Sequence, residues 1–400
     1  IEGNPQIAAQ RNAVRVIEAR LAAAKGNYLP TLEANGLVQR RQLDVKKGGP
    51  GDTTFTAGQA SVDVRWRMFD GFRSENGIDV AQAELDSGRA VLEGTISEVL
   101  YALLTATANI HRDRKVEQYA RQQNDAIGEQ LKATTRRLEF GDATRTDENQ
   151  AQARLALSEA GVLAAQEELL VSSAEFEEVS KRPAGDVPQL PRLPNLPASV
   201  EEARQAALTD SPRIRAAKAN AEAAREGVNF ARGALAPTVD AVAGYEYLTG
   251  GVANLFTGEL PQDRSALYGG LEVRVPIFQG GKEYAEVRRA KAVKDQRAAQ
   301  IEQETRRVDQ EVVSGWARWK SALATIDAAQ KAVAANEKAA EGVRKESIGG
   351  NRTLLDVLDA QNELLAARVT YERAVRNEFV ARAALLATLG RLNPALFATP

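Results

Sequence analysis

Two aspartates in the stretch LLDVLDAQ, Asp356 and Asp359, stand three positions apart, so a helix carrying them turns both carboxylates to one side. Repeated around a symmetry axis, such a pair makes stacked acidic rings, whose chemistry is electrostatic: they concentrate cations and turn anions away. The bland alternative is a solvated helix face, or the preference of acidic residues for a helix N-terminus, since both follow Gly350 closely.

A second charged set alternates instead of winding. In SVDVRWRMFDG, Val62, Val64, Trp66 and Met68 share one face of a strand, while Asp63, Arg65 and Arg67 share the other. GLEVRVPIFQG repeats the division, with Leu271, Val273, Val275 and Ile277 against Glu272 and Arg274. One face calls for hydrocarbon and the other for water. The same alternation also suits an ordinary soluble sheet packed on a core.

Other chemistry is thinly represented. The chain has no cysteine and a single histidine, His111 in NIHRDRK, which reads as a helix-surface residue. There is no Ser, His and acid cluster, phosphate-cradling loop or dense carboxylate set, so no enzyme, cofactor or metal site is expected. A net charge of -2, with 26% charged residues, gives no electrostatic reason to expect a nucleic-acid partner.

The elements that must position these charges are written twice. Asn4-Pro5-Gln6-Ile7 is echoed by Ser211-Pro212-Arg213-Ile214, and Leu29-Pro30-Thr31 by Ala236-Pro237-Thr238, both at an offset of 207. The two Phe-x-Gly strands match at 209, Phe140-Gly141 matches Ile348-Gly349 at 208, and Thr144, Asp147, Ala151 and Gln152 match Thr353, Asp356, Ala360 and Gln361 at 209. The expected organisation is a first repeat over residues 1–181, a linker over 182–199 with five prolines, and a second repeat over 200–395.

Each repeat reads as helix, two strands, long helix and shorter helix. The first helices cover 6–28 and 213–235 and end before a Pro-Thr pair. The strands cover about 31–43 and 54–69, then 238–248 and 265–278. Residues 73–138 and 282–346 contain no proline and carry apolar seams, Leu92, Ile96, Val99, Leu103, Ala106 and Ile110 in one and Val312, Trp316, Trp319, Leu323 and Ile326 in the other. Rods of that length extend about 100 Å at 1.5 Å per residue. A glycine break then leads into helices 144–180 and 353–389.

No stretch of about 18 consecutive apolar residues occurs, so a membrane-spanning helix is not expected and any membrane crossing falls to the strands. Four strands cannot close a barrel, and an open edge in lipid leaves backbone groups unsatisfied at several kcal/mol each. Pooling between three copies would give twelve strands and twelve helical columns. The chain opens on IEGNPQIAAQ, without the basic start and apolar run of a signal peptide. The second repeat begins with SVEEARQAALTD, which has no counterpart before Asn4, so loss of roughly ten residues and of any targeting segment is expected.

The duplicated element order, FDG and FQG after the second strand, and GGNRTLLDVLDAQ in the second repeat together resemble the TolC family of trimeric outer-membrane channels, over essentially the whole chain. The resemblance implies a mainly α fold with membrane β: a homotrimer whose twelve-stranded β-barrel in the outer membrane of a Gram-negative bacterium continues as a twelve-helix α-barrel into the periplasm. It implies no catalysis, and service as the exit duct of a tripartite efflux or type I secretion system. The implied partners are a periplasmic adaptor, an inner-membrane ABC or RND transporter, and outer-membrane lipid.

In the same resemblance Arg352 occupies the arginine linking neighbouring helices in the closed state, Asp147 its aspartate partner, and Asp356 and Asp359 the inner constriction; a family tyrosine is Ser347 here. Asp63, Arg65, Arg67, Glu272 and Arg274 would line the lumen, and Val62, Val64, Trp66, Met68, Leu271, Val273, Val275 and Ile277 would face lipid. The alternative class is a soluble, elongated coiled-coil scaffold or periplasmic adaptor protein, with no lipid-facing band.

Overall fold

A computed structural model describes residues 3–43, 53–250 and 263–397. The two loops expected to join the strands of each hairpin, 44–52 and 251–262, lie outside the described residues, as does the Phe55 side chain. The elements follow in the order α1 (Pro5–Gly26), β1 (Thr31–Leu43), β2 (Thr53–Phe69), α2 (Arg73–Glu139), α3 (Arg145–Ser180), α4 (Val200–Asp210), α5 (Pro212–Gly233), β3 (Thr238–Thr249), β4 (Arg264–Arg274), α6 (Lys282–Ile348) and α7 (Leu354–Thr388). The chain is mainly helical with one small antiparallel sheet. Two compact units cut across the sequence repeats, each unit drawing on both: one comprises Ile1–Ala13, Arg89–Ala216 and Glu302–Pro400, the other Val14–Gly88 and Ala217–Ile301.

The second unit holds the sheet, in the order β1-β2-β3-β4 with every neighbour antiparallel. Register sets Arg65 opposite Thr31 and Val242, and Asp240 opposite both Arg67 and Glu272, so the charged residues of three strands share one face. The fourth strand is shorter than its sequence alternation suggests. Pro276 has no N–H to give a ladder, and β4 stops at Arg274, which leaves Val275 and Ile277 beyond its end.

Each Phe-x-Gly ends in a backbone that only glycine adopts without strain: Gly71 has φ +71° and Gly280 φ +70°. Gly71 is also crowded, since a Cβ there would come within 2.6 Å of the Gly233 carbonyl oxygen and 2.5 Å of the Ala236 Cβ. Asp70 completes the turn by accepting from the backbone N–H of Arg73 (2.8 Å) and Ser74 (2.9 Å), which caps α2.

The first unit is a packing of helices. Leu100 and Leu104 of α2 meet Ala383 and Leu386 of α7 together with Leu193 and Leu392. Each fully buried leucine of this kind contributes about 1.5–3 kcal/mol. Leu193 belongs to the proline-rich segment expected to act as a linker, so that segment is part of a core. It is held from α2 as well: His111 Nε2 donates to the Pro188 carbonyl at 2.9 Å, and Arg114 donates to that of Ala184 at 2.7 Å. Val308 and Val312 of α6 pack with Ala203 and Ala207 of α4, Ile214 and Leu389.

Burial on α2 is broader than a heptad seam, taking in Leu100, Leu104 and Ala108 beside Val99, Ala106 and Ile110. This corrects the expectation that no helix qualifies as a membrane span. By length and composition α2 is long and apolar enough to cross a bilayer. Its apolar residues are used in protein cores instead, where they need no lipid.

Gly71→Ala is expected to destabilise the chain by roughly 2 kcal/mol or more, since it combines left-handed strain with a clash against backbone. Gly280→Ala, with nothing within 4 Å of its added methyl, pays the strain alone. Thermal loss of helical circular dichroism in detergent should therefore fall further for the first than for the second.

Candidate functional site

The two turns that follow the long helices are built alike, atom for atom. Gly141 (φ +82°) donates to Leu138 O at 3.0 Å and Asp142 to Arg137 O at 2.8 Å. Gly350 (φ +80°) donates to Ser347 O at 3.1 Å and Asn351 to Glu346 O at 2.9 Å. Left-handed glycines closing a helix in this way satisfy carbonyls that would otherwise be orphaned. The pattern pairs Gly141 with Gly350, one place later than the sequence match of Phe140-Gly141 to Ile348-Gly349, and brings this region to the same 209 offset as the threonines and aspartates that follow.

Those threonines and aspartates form capping boxes. Thr144 Oγ1 accepts from Asp147 N at 3.1 Å while Asp147 Oδ2 accepts from Thr144 N and Oγ1, both at 2.8 Å. Thr353 and Asp356 repeat this at 3.2 and 2.9 Å. Both boxes satisfy helix-start N–H groups reciprocally. The backbone N–H of Thr144 holds the Asp147 carboxyl below the usual aspartate range, and that of Thr353 does the same for Asp356. In both cases the carboxylate engages through Oδ2.

Arg352 and Asp147 each bond inside their own turn. Arg352 Nε donates to Glu346 Oε2 at 2.9 Å, and this carboxylate stabilises the guanidinium charge. Asp359 is tied differently: its Oδ1 accepts from Arg154 Nη2 of α3 at 3.1 Å. Between the two aspartates Val357 and Leu358 are buried, which fixes the rotation of α7 and leaves Asp356 and Asp359 on its open side. Glu346 and Arg154 were not singled out from the sequence. Arg154 carries no signal there, because its pairing depends on how α3 and α7 are rotated.

The polar face of the sheet is a connected network. Arg65 Nη1 reaches Glu272 Oε2 at 2.9 Å and Asp240 Oδ2 at 3.4 Å; Arg67 Nε meets Asp240 Oδ1 at 3.1 Å; Arg274 Nη2 meets Glu272 Oε1 at 2.8 Å. Asp63 accepts from Ser61 Oγ at 2.8 Å, from Asn35 and from the Tyr268 hydroxyl. Asp240, 4% exposed, is the hub missed in the sequence. Strand parity placed it on the charged face, but only register shows two arginines converging on it.

The opposite face is bare hydrocarbon. Val62, Val64, Trp66, Met68, Leu271 and Val273 are all exposed, and Val38 and Leu267 reach 79% and 84%. Val275 and Ile277, past the end of β4, are exposed as well. Trp66 holds its ring by donating from Nε1 to the Tyr28 carbonyl at 2.9 Å.

Comparison with known proteins supplies the context. Residues 1–179 and 203–391 match the family model described as outer membrane efflux protein. The outer membrane efflux protein BepC of Brucella suis biovar 1 (strain 1330) is 28% identical over 392 residues, covering 98% of this chain and 84% of that protein. The outer membrane protein TolC of Escherichia coli (strain K12) is 26% identical over 305 residues, 73% of this chain and 61% of that protein. The open state of the Neisseria gonorrhoeae MtrE outer membrane channel has a TM-score of 0.82 at 19% identity, covering 98% of this chain and 87% of that one, and so shares its fold.

Thr144→Ala should cost about 1 kcal/mol of helix-start stability, read as faster amide exchange over the first turn of α3. Because the folded-state pKa values of Asp147 and Asp356 are depressed, their contribution is complete above the ordinary aspartate pKa of about 3.9 and is lost as pH falls through the lowered values. Protection factors at both turns, corrected for intrinsic exchange, are therefore expected to hold at pH 5 to 7 and to drop below about pH 4.

Proposed function

Since this chain belongs to the outer membrane efflux protein family, a family of outer-membrane channel and transport proteins of Gram-negative bacteria, we propose that three copies form the exit duct of a tripartite efflux or type I secretion system. The observation that carries the reading is the sheet. Its two faces require opposite solvents, and β1 and β4 end it as edges. In lipid each unpaired backbone group costs several kcal/mol, so the edges must be covered by other strands. Three four-stranded sheets make a twelve-stranded barrel with the exposed aliphatic face toward lipid and the Arg65, Arg67, Asp240 and Glu272 network toward water.

The helices extend this barrel as a tunnel of twelve columns into the periplasm. A periplasmic adaptor docks it to an inner-membrane ABC or RND transporter, which supplies the energy. Membership of an outer-membrane family displaces the soluble scaffold as the alternative reading. The tunnel's far end is closed where α3 and α7 begin. There, among the described residues, Arg352 bonds through Nε alone within its own turn and Asp147 through Oδ2 alone, which leaves their other polar atoms to meet across neighbouring copies. Asp356 and Asp359, on the open side of α7, form the acidic constriction.

Planar-bilayer recording of detergent-extracted protein is expected to show small, cation-selective currents that grow when Asp356 and Asp359 are both replaced by Ala. Unchanged current and selectivity would remove these residues from the gate. Recovery of the protein as a water-soluble monomer would dispose of the duct itself.

A further inference from the structure

The pairing of Arg154 with Asp359 bears on what the constriction selects. On the reading above, Asp356 and Asp359 supply two acidic rings, yet their surroundings differ. Among the described residues Asp356 accepts hydrogen bonds only from Thr353, a neutral partner, and the Arg352 guanidinium acts on it through space without a direct ion pair. Asp359 faces a guanidinium at 3.1 Å from the same chain, and Arg154 has no other hydrogen bond among the described residues. Both side chains remain accessible, 35% and 53% exposed in the single chain. Theirs is also the one ion pair joining α3 to α7 among the described residues. The other side-chain hydrogen bonds of α7 to the long helices, among the described residues, run to α2, from Gln123 to Asn362, from Tyr119 to Glu372 and from Arg376 to Asn109, and to α6, from Arg368 to Glu337 and from Trp319 to Glu378.

We propose that Arg154 is a positioning and selectivity-setting residue of the constriction, which neutralises the Asp359 ring and leaves the Asp356 ring as the charge that selects cations. The inference rests on the gate reading of those two aspartates. An arginine suits the role because it stays protonated at any physiological pH and donates along a fixed planar fork. Its effect is that of an accessible ion pair, modest in strength and screened by salt.

The test is the reversal potential in a KCl gradient at low ionic strength, measured on the intact protein for Arg154→Gln, Arg154→Lys, Asp359→Asn, Asp356→Asn and the Arg154→Gln, Asp359→Asn double variant. Arg154→Gln is expected to raise cation over anion permeability roughly two- to five-fold, Arg154→Lys to restore most of the original ratio, and the double variant, which removes both members of the neutral pair, to return the ratio to near the original value. Asp356→Asn should lower the ratio by removing the unpaired acidic ring, and Asp359→Asn should lower it by uncovering the Arg154 charge. The inference is overturned alone if Arg154→Gln leaves the ratio unchanged, or if the double variant fails to return it toward the original value, while Asp356→Asn still lowers it. If neither aspartate variant alters the ratio, the gate reading falls and takes this inference with it.

Discussion

The sheet's two faces cannot both be satisfied by one chain, and this constraint organises the rest of the molecule. On one face Asp240 is buried beneath two arginines and Glu272 bridges to two more guanidinium contacts. On the other, aliphatic side chains stand open with no helix laid over them. A soluble sheet would bury that face, since leaving it in water forfeits about 25 cal/mol for every Å² exposed. In the proposed duct, lipid outside and water inside resolve the conflict, and closure with other copies resolves the edges.

The helical unit answers a different requirement. Its cores are made of Leu, Val and Ala brought together from helices and from a proline-rich segment that contributes Leu193. Proline there removes helix but not burial. Alanines at Ala203, Ala207 and Ala383 allow close approach, and the larger residues fill what remains. The lone histidine finds its place in this packing, with its ring nitrogen engaged by a backbone carbonyl.

The paired turns show how duplication was kept where backbone geometry demanded it. Gly141 and Gly350, Thr144 and Thr353, Asp147 and Asp356 carry the same hydrogen bonds in both repeats. Outside those positions the turns diverge. Arg352 has Ala143 as its counterpart, and the guanidinium of the first turn comes instead from Arg137, which donates to the Asp142 carbonyl at 3.2 Å. Asp359 likewise draws its partner from the other repeat, which makes the two turns and their helix starts asymmetric within each chain although their scaffold is repeated.

Local rules made much of this legible in advance. Helix bounds, the strands from Thr31 to Thr249 and the division of Val62 to Met68 from Asp63 to Arg67 follow from periodicity, and the breaks at Gly71 and Gly141 from a backbone only glycine adopts easily. Each of these depends on neighbours within a few residues, which is why sequence alone determined them. Tertiary structure decided which charges meet. Asp240 joins Arg65 and Arg67 only through a register between strands some 170 positions apart, and Arg154 finds Asp359 only once packing of Val357 and Leu358 has set the rotation of α7. An ion pair needs two atoms within a few ångströms, and no spacing along a chain encodes a distance between elements that are far apart in it.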